Sequence, residues 1–226
     1  WDAGELLWHM TEVQNSWEWV ITNRPAIPKE DPPLVRPAEY ADLLALFDDR
    51  SAAFATTLGS ADPGEEAWSW STDHTVGFTY RRQAHEALIH RLDAELTVGA
   101  VTDLDARLAG DGVEEALAVM FGGCPPWGTF TPEEGLLRVD VIDTDQQVWV
   151  QLGRFTGTDP DDGKYCAERD ISVVDNPGDE PDAVVAGPAA VLDTWLWRRG
   201  DDSEIRVAGD RGVYDRFRAT IDQPIN

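Results

Sequence analysis

The stretch Gly122-Gly123-Cys124-Pro125-Pro126-Trp127-Gly128 separates two different sequence patterns. Glycine and proline at this density mark a linker or a domain edge. Upstream of it, apolar residues recur every three or four positions, the period of an amphipathic helix. Downstream they alternate, the period of a strand. That change of period sets the expected fold class.

Working upstream, a short helix fits Val113 to Phe121, with Asp111-Gly112 as its start signal. A longer one covers His74 to Val98, with Ala84, Leu88, Leu92 and Leu96 on one side. A third runs from Pro37, a favourable first-turn proline, to Leu58, with a stripe of Tyr40, Leu43, Leu44, Phe47, Phe54 and Leu58. The first spans Asp2 to Ile21, where Leu6, Met10, Val13, Trp17 and Val20 share a face. Asn23-Arg24-Pro25-Ala26-Ile27-Pro28 and Asp31-Pro32-Pro33 cannot continue it and predict a loop. Four helices joined by loops predict a bundle over residues 1–123.

Downstream, Leu137, Val139 and Val141 alternate with Arg138, Asp140 and Ile142, and Asp143-Thr144-Asp145 makes a turn. Val148, Val150 and Leu152 follow within Gln146–Phe155, which predicts a hairpin. Further strands fit Ala167–Val174, Asp182–Ala186 and Glu204–Ala208, and helices fit Pro188–Arg198 and Arg211–Ile221. Residues 129–226 are therefore expected to form a small α+β unit. The fold class of the whole is α plus α+β.

Composition narrows the function. Of 226 residues, 43 are Asp or Glu and 18 are Lys or Arg, a formal charge of -25 at pH 7. Nucleic acid is excluded as a partner, because its binding rests on cations neutralising phosphates, and anionic membrane surfaces are disfavoured on the same ground. The 42% hydrophobic content, with 10 Trp, supplies a real core, so the acidity belongs to a solvated surface. Cys124 and Cys166 form no metal or redox pair and are expected as free thiols in a reducing cytoplasm. No stretch approaches the ~20 apolar residues of a membrane span, and no signal peptide is visible. The chain opens on Trp1 without a Met, so residues before it are expected in the native protein.

The chemistry centres on the His74–Val98 helix. Glu86 and His90 are four apart and lie about 40° apart around the helix axis. Their face extends through Arg82 or Gln83 to Asp93 and Thr97, a polar stripe able to point into a cleft. A carboxylate and an imidazole one turn apart either share a hydrogen bond or hold a divalent metal, and a metal demands a third ligand from another helix. His9, at the margin of the first helix's apolar stripe, is the natural candidate; the alternative is a semi-buried, hydrogen-bonded histidine. Two His and one Glu would leave a fourth tetrahedral position open, the catalytic type of zinc site.

The stretch Arg82-Gln83-Ala84-His85-Glu86-Ala87-Leu88-Ile89-His90-Arg91-Leu92-Asp93-Ala94-Glu95 resembles the third-helix signature of the mycothiol-dependent maleylpyruvate isomerase family, part of the DinB-like helical-bundle superfamily. Trp1 to Trp17, with Glu5-Leu6-Leu7-Trp8-His9-Met10, resembles that family's first metal-binding helix, and Asp111-Gly112-Val113-Glu114-Glu115 its fourth-helix start. Ala186-Gly187-Pro188, Leu196-Trp197-Arg198-Arg199-Gly200 and Val207-Ala208-Gly209-Asp210 resemble its sterol-carrier-like C-terminal domain, with Arg198 standing where the family usually has glycine.

The resemblance implies a metal site of His9, Glu86 and His90 holding Zn²⁺ or another divalent metal, with mycothiol as thiol cosubstrate. Zinc deprotonates a bound thiol. The thiolate adds to an activated double bond, leaving a single bond that rotates before elimination gives the trans isomer, or it displaces a leaving group or opens an epoxide. The chain is thus expected to be a cytoplasmic isomerase or S-transferase acting on a small electrophile, as a monomer or weak homodimer. Arg82 and Arg199 are the catalytic candidates, binding carboxylates of substrate or thiol. Arg82 and Asp93 are the cofactor-binding candidates, Asp93 by orienting His90, with helix capping or surface pairing as its alternative. His74 and His85 are read as structural, and Trp8, Trp17, Trp19, Trp68 and Trp70 as core or as pocket walls. Two other readings stand: a hydrolase using zinc-activated water with Glu95 or Asp93 as base, and a non-catalytic binder of a small ligand.

Overall fold

The computed structural model describes residues 2–30 and 32–223; Trp1, Asp31 and residues 224–226, which include the start of the first-helix resemblance and part of the proline loop, lie outside them. Helix α1 spans Ala3–Asn23 and begins with a capping box. Asp2 Oδ1 accepts from the Glu5 backbone N–H at 2.8 Å, and Glu5 Oε2 accepts from Asp2 N at 2.7 Å. Helix α2 spans Tyr40–Gly59 and α3 Val76–Val98, the latter capped by Thr75 Oγ1, which accepts from Phe78 N. Both start two or three residues later than the apolar pattern predicts.

Helix α4, Ala106–Glu115, starts well before the expected Val113, because Asp105 rather than Asp111 is its cap, accepting from Arg107 N and Leu108 N. It continues as a π-helical segment over Ala116–Phe121. Asp111-Gly112, the expected start signal, and Gly110 lie inside this helix. A Cβ at Gly112 would sit 2.9 Å from Asp193 Oδ1 on the next helix, so glycine there lets the two helices approach.

The chain divides into two compact units, residues 1–102 and 103–226. The division expected at the Gly122–Gly128 stretch, between 1–123 and 129–226, thus falls about twenty residues earlier. The reason is packing: α4 lies against α5 (Ala189–Leu196), and its π-helical extension against β3 (Tyr165–Val174). The first unit therefore contains α1–α3, and the fourth helix of the expected bundle clusters with the sheet. The Gly-Pro stretch is a tight turn inside the second unit, and Gly122 sits so close to the carbonyls of Leu117 and Ile171 that a Cβ would lie within 2.8 Å of both.

The second unit holds a five-stranded sheet in the order β3-β2-β1-β4-β5. Strands β1 (Gly128–Val141) and β2 (Gln146–Thr158) form the expected hairpin, with register Val139↔Val148, and extend it past a bulge between Pro132 and Leu136. Strand β3 continues the meander, β4 (Ala183–Gly187) runs parallel to β1, and β5 (Arg206–Gly209) closes the far edge. Leu137, Val139, Val148, Val150, Ile171 and Val185 are buried on one face, against which α5 and α6 (Arg211–Ile221) pack through Leu192, Phe217 and Ile221. Each such fully buried side chain is worth about 1.5–3 kcal/mol.

Helix α5 stops on a left-handed residue. Arg198 has φ 61°, its N–H donates to Trp195 O, and Arg199 N–H donates to Thr194 O at 2.7 Å, the hydrogen-bond pair of a Schellman motif. Cys124 and Cys166 are both free. No helix among the described residues is long and apolar enough to cross a membrane.

Candidate metal centre

The site is assembled within the first unit from α1 and α3, which run antiparallel: His9 faces Glu86 and His90, while Trp17, two turns on, meets Phe78, two turns back. The capping box at Asp2 sets the start of α1 one turn and a half before His9. On α3 the face expected to be apolar is only partly so. Leu88 and Leu92 are buried, but Ala84 and Leu96 are exposed. The polar line of Arg82, Glu86 and His90 turns inward instead, with Arg82 only 4% exposed.

Glu86 is the hub. Its Oε1 lies 3.1 Å from His9 Nε2 and 3.2 Å from His90 Nε2. Its Oε2 accepts from Arg82 Nη2 at 2.7 Å. On the far side of the His90 ring, Nδ1 lies 3.0 Å from Asp93 Oδ2. The two imidazoles meet edge to face, with centroids 4.9 Å apart. One donor atom from each of His9, Glu86 and His90 falls within 4.8 Å of the others, the one such grouping of potential metal ligands among the described residues.

The electrostatics follow. Burial pushes the Glu86 carboxyl up, but hydrogen bonds from His9 and His90 and the Arg82 charge outweigh it and hold the carboxyl well below the usual range. Burial pulls His90 down, yet the carboxylates of Asp93 and Glu86 on its two nitrogens raise it to about 9. In the metal-free protein at neutral pH, His90 is therefore an imidazolium between two carboxylates.

The other sequence candidates fall out by position. Arg82 is turned onto Glu86 rather than toward solvent, and its i,i+4 spacing to Glu86 was the signal for that pairing. Asp93 lies on His90 as expected from its spacing. Arg199 belongs to the second unit, where its Nη1 donates to Trp197 O at 2.6 Å. His85 is fully buried on another side of α3, and His74 Nδ1 accepts from Ser69 N in the loop before it. Glu95 accepts from both N and Oγ1 of Thr102, anchoring the chain after α3. Trp17 is buried beside Trp68 and Phe78, whereas Trp70 is half exposed.

Comparison with known proteins adds family models. The mycothiol maleylpyruvate isomerase N-terminal domain matches residues 1–95, and the MDMPI C-terminal domain matches residues 107–216. The break between compact units falls in the interval separating the two matches. No curated protein matches the chain. Among solved structures, a chain described as "UbiJ-SCP2 Ubiquinone synthesis protein" is 18% identical, over 54% of this chain and 94% of its own, with a TM-score of 0.28.

Proposed function

The chain belongs to the mycothiol maleylpyruvate isomerase family, and on that premise we propose that it is a zinc-dependent, mycothiol-using isomerase or S-transferase of a small electrophile. The observation that carries the reading is the spacing of the three donors. Donors of a tetrahedral ion bound at about 2.0–2.1 Å, as Zn²⁺ binds N and O, lie about 3.3–3.4 Å apart. Glu86 Oε1 stands 3.1 and 3.2 Å from the two Nε2 atoms, and one donor atom from each of the three residues lies within 4.8 Å of the others, a spread that side-chain adjustment brings to such an ion.

His9 and His90 would bind through Nε2 and Glu86 through Oε1. Asp93, on His90 Nδ1, holds that ring in orientation and leaves Nε2 for the ion. Zinc in such a site lowers the pKa of a bound thiol, making thiolate available at neutral pH. His9, at 32% exposure, is the most open of the three ligands, and the cosubstrate approaches from its side. Isomerisation and S-transfer make the same demand on these residues and differ in the electrophile. Maleylpyruvate-like acids and xenobiotics are the two classes to try. Cytoplasmic placement follows from the thiol pool that such an enzyme draws on.

The hydrolase reading loses support because its two candidate bases are engaged, Glu95 with Thr102 and Asp93 with His90. The decisive experiment pairs elemental analysis of the purified protein with turnover of an electrophile in the presence and absence of mycothiol. About one zinc per chain and turnover only with the thiol are expected. Zinc-dependent turnover indifferent to the thiol would refute the proposal.

A further inference from the structure

We infer that Arg82 is a positioning residue that restricts Glu86 to ligation through one oxygen and thereby keeps a coordination position open at the centre. The inference rests on the metal reading above and departs from the substrate-binding role that Arg82 has in the sequence.

A carboxylate beside a divalent cation can bind through one oxygen or both. Bidentate binding by Glu86 would consume the position that an incoming sulfur needs. In this site the two oxygens have separate partners. Oε2 accepts a short charge-assisted hydrogen bond from Arg82 Nη2 at 2.7 Å, while Oε1 faces both Nε2 nitrogens. Arg82 is 4% exposed, too enclosed to reach a substrate without leaving its place. A buried guanidinium favours a carboxylate partner, and Glu86 supplies one at 2.7 Å. The i,i+4 spacing on one helix makes the pairing independent of loop movement. Arginine also suits the task better than lysine, because its planar fork fixes the direction of the carboxylate as well as its charge.

The test uses the full chain loaded with Co²⁺, whose visible absorption weakens as coordination number rises. Arg82→Gln and Arg82→Lys are compared with wild type and with Arg91→Gln, a surface control whose side chain pairs with Glu95. Wild type is expected to bind one Co²⁺ with the intense bands of low coordination. Arg82→Gln should bind roughly 10–100-fold more weakly, the usual loss on removing a partner of a metal ligand, and its bands should weaken. Arg82→Lys should fall between, and Arg91→Gln should match wild type.

Unchanged bands in Arg82→Gln, with or without lost affinity, would overturn the proposal. So would weak, high-coordination bands in wild type, a result that needs no variant and stands even if both Arg82 variants fail to fold. A wild-type chain that binds no Co²⁺ or Zn²⁺ would instead refute the metal reading itself, and the two failures are therefore distinguishable.

Discussion

Arg198→Gly should stabilise the protein. Arg198 is the left-handed residue that closes α5, at φ 61°. A residue with a Cβ loses about 1–2 kcal/mol in that conformation, and glycine does not. Against this, glycine makes the unfolded chain more flexible, which returns about 0.4–1 kcal/mol. The net gain is about 0–1.6 kcal/mol, with a midpoint of about 0.8 kcal/mol, since the Arg198 side chain is exposed. For a chain of this size about 1 kcal/mol moves Tm by about 2–4 °C. Calorimetry of wild type, Arg198→Gly and Arg198→Ala separates backbone from side chain. The alanine variant keeps the Cβ and should gain nothing. If alanine gains as much as glycine, or if glycine gains nothing, the left-handed backbone is not the source of the cost.

Glu86→Ala should lower metal affinity by well over tenfold, measured by competition with a chromogenic chelator, and should also lower stability by removing the carboxylate that pairs with the buried Arg82 guanidinium. Glu86→Gln, which keeps an acceptor for Arg82, should lose the metal while keeping most of that stability, as chemical denaturation would show. His85→Ala should leave metal content unchanged and lower stability by about 2 kcal/mol or more, because its ring is fully buried away from the ligands. With His90 raised to about 9, metal uptake at pH 7.5 should release close to one proton, read by titration calorimetry in buffers of different ionisation heat. Because that pKa is raised, its contribution to metal-free stability is complete below about pH 6.5 and fades as pH rises through about 9.

Helical period and caps made α1, α3 and α6 legible to within a few residues, since each has a polar cap followed by a periodic run. The start of α4 was hidden because Asp111-Gly112 reads as a helix start, and only the proximity of Asp193 shows why residue 112 is glycine within a helix. Much of β1 was hidden too, as Thr131-Pro132-Glu133-Glu134-Gly135 has no alternation and includes the bulge. At the centre, the one-turn spacing showed that Glu86 and His90 share a face, and position on the first helix made His9 the third candidate, a choice the family resemblance favoured over a merely hydrogen-bonded histidine. The inward turn of Arg82 was not legible, because an arginine on a helix is solvated by default and only tertiary packing around α3 encloses it.

The end strands of the sheet bear on how the protein behaves in solution. At one end β5 is four exposed residues, too short to recruit a neighbour. At the other, β3 is ten residues long; the Gly122 turn guards it at Ile171, and Tyr165 to Asp170 form a border with no further strand beside it among the described residues. With a formal charge of -25, two copies repel each other in dilute buffer. Raising ionic strength to 1 M shrinks the screening distance to about 3 Å and removes that protection. Association of copies through this border should therefore rise with salt, as light scattering at low and high ionic strength would read.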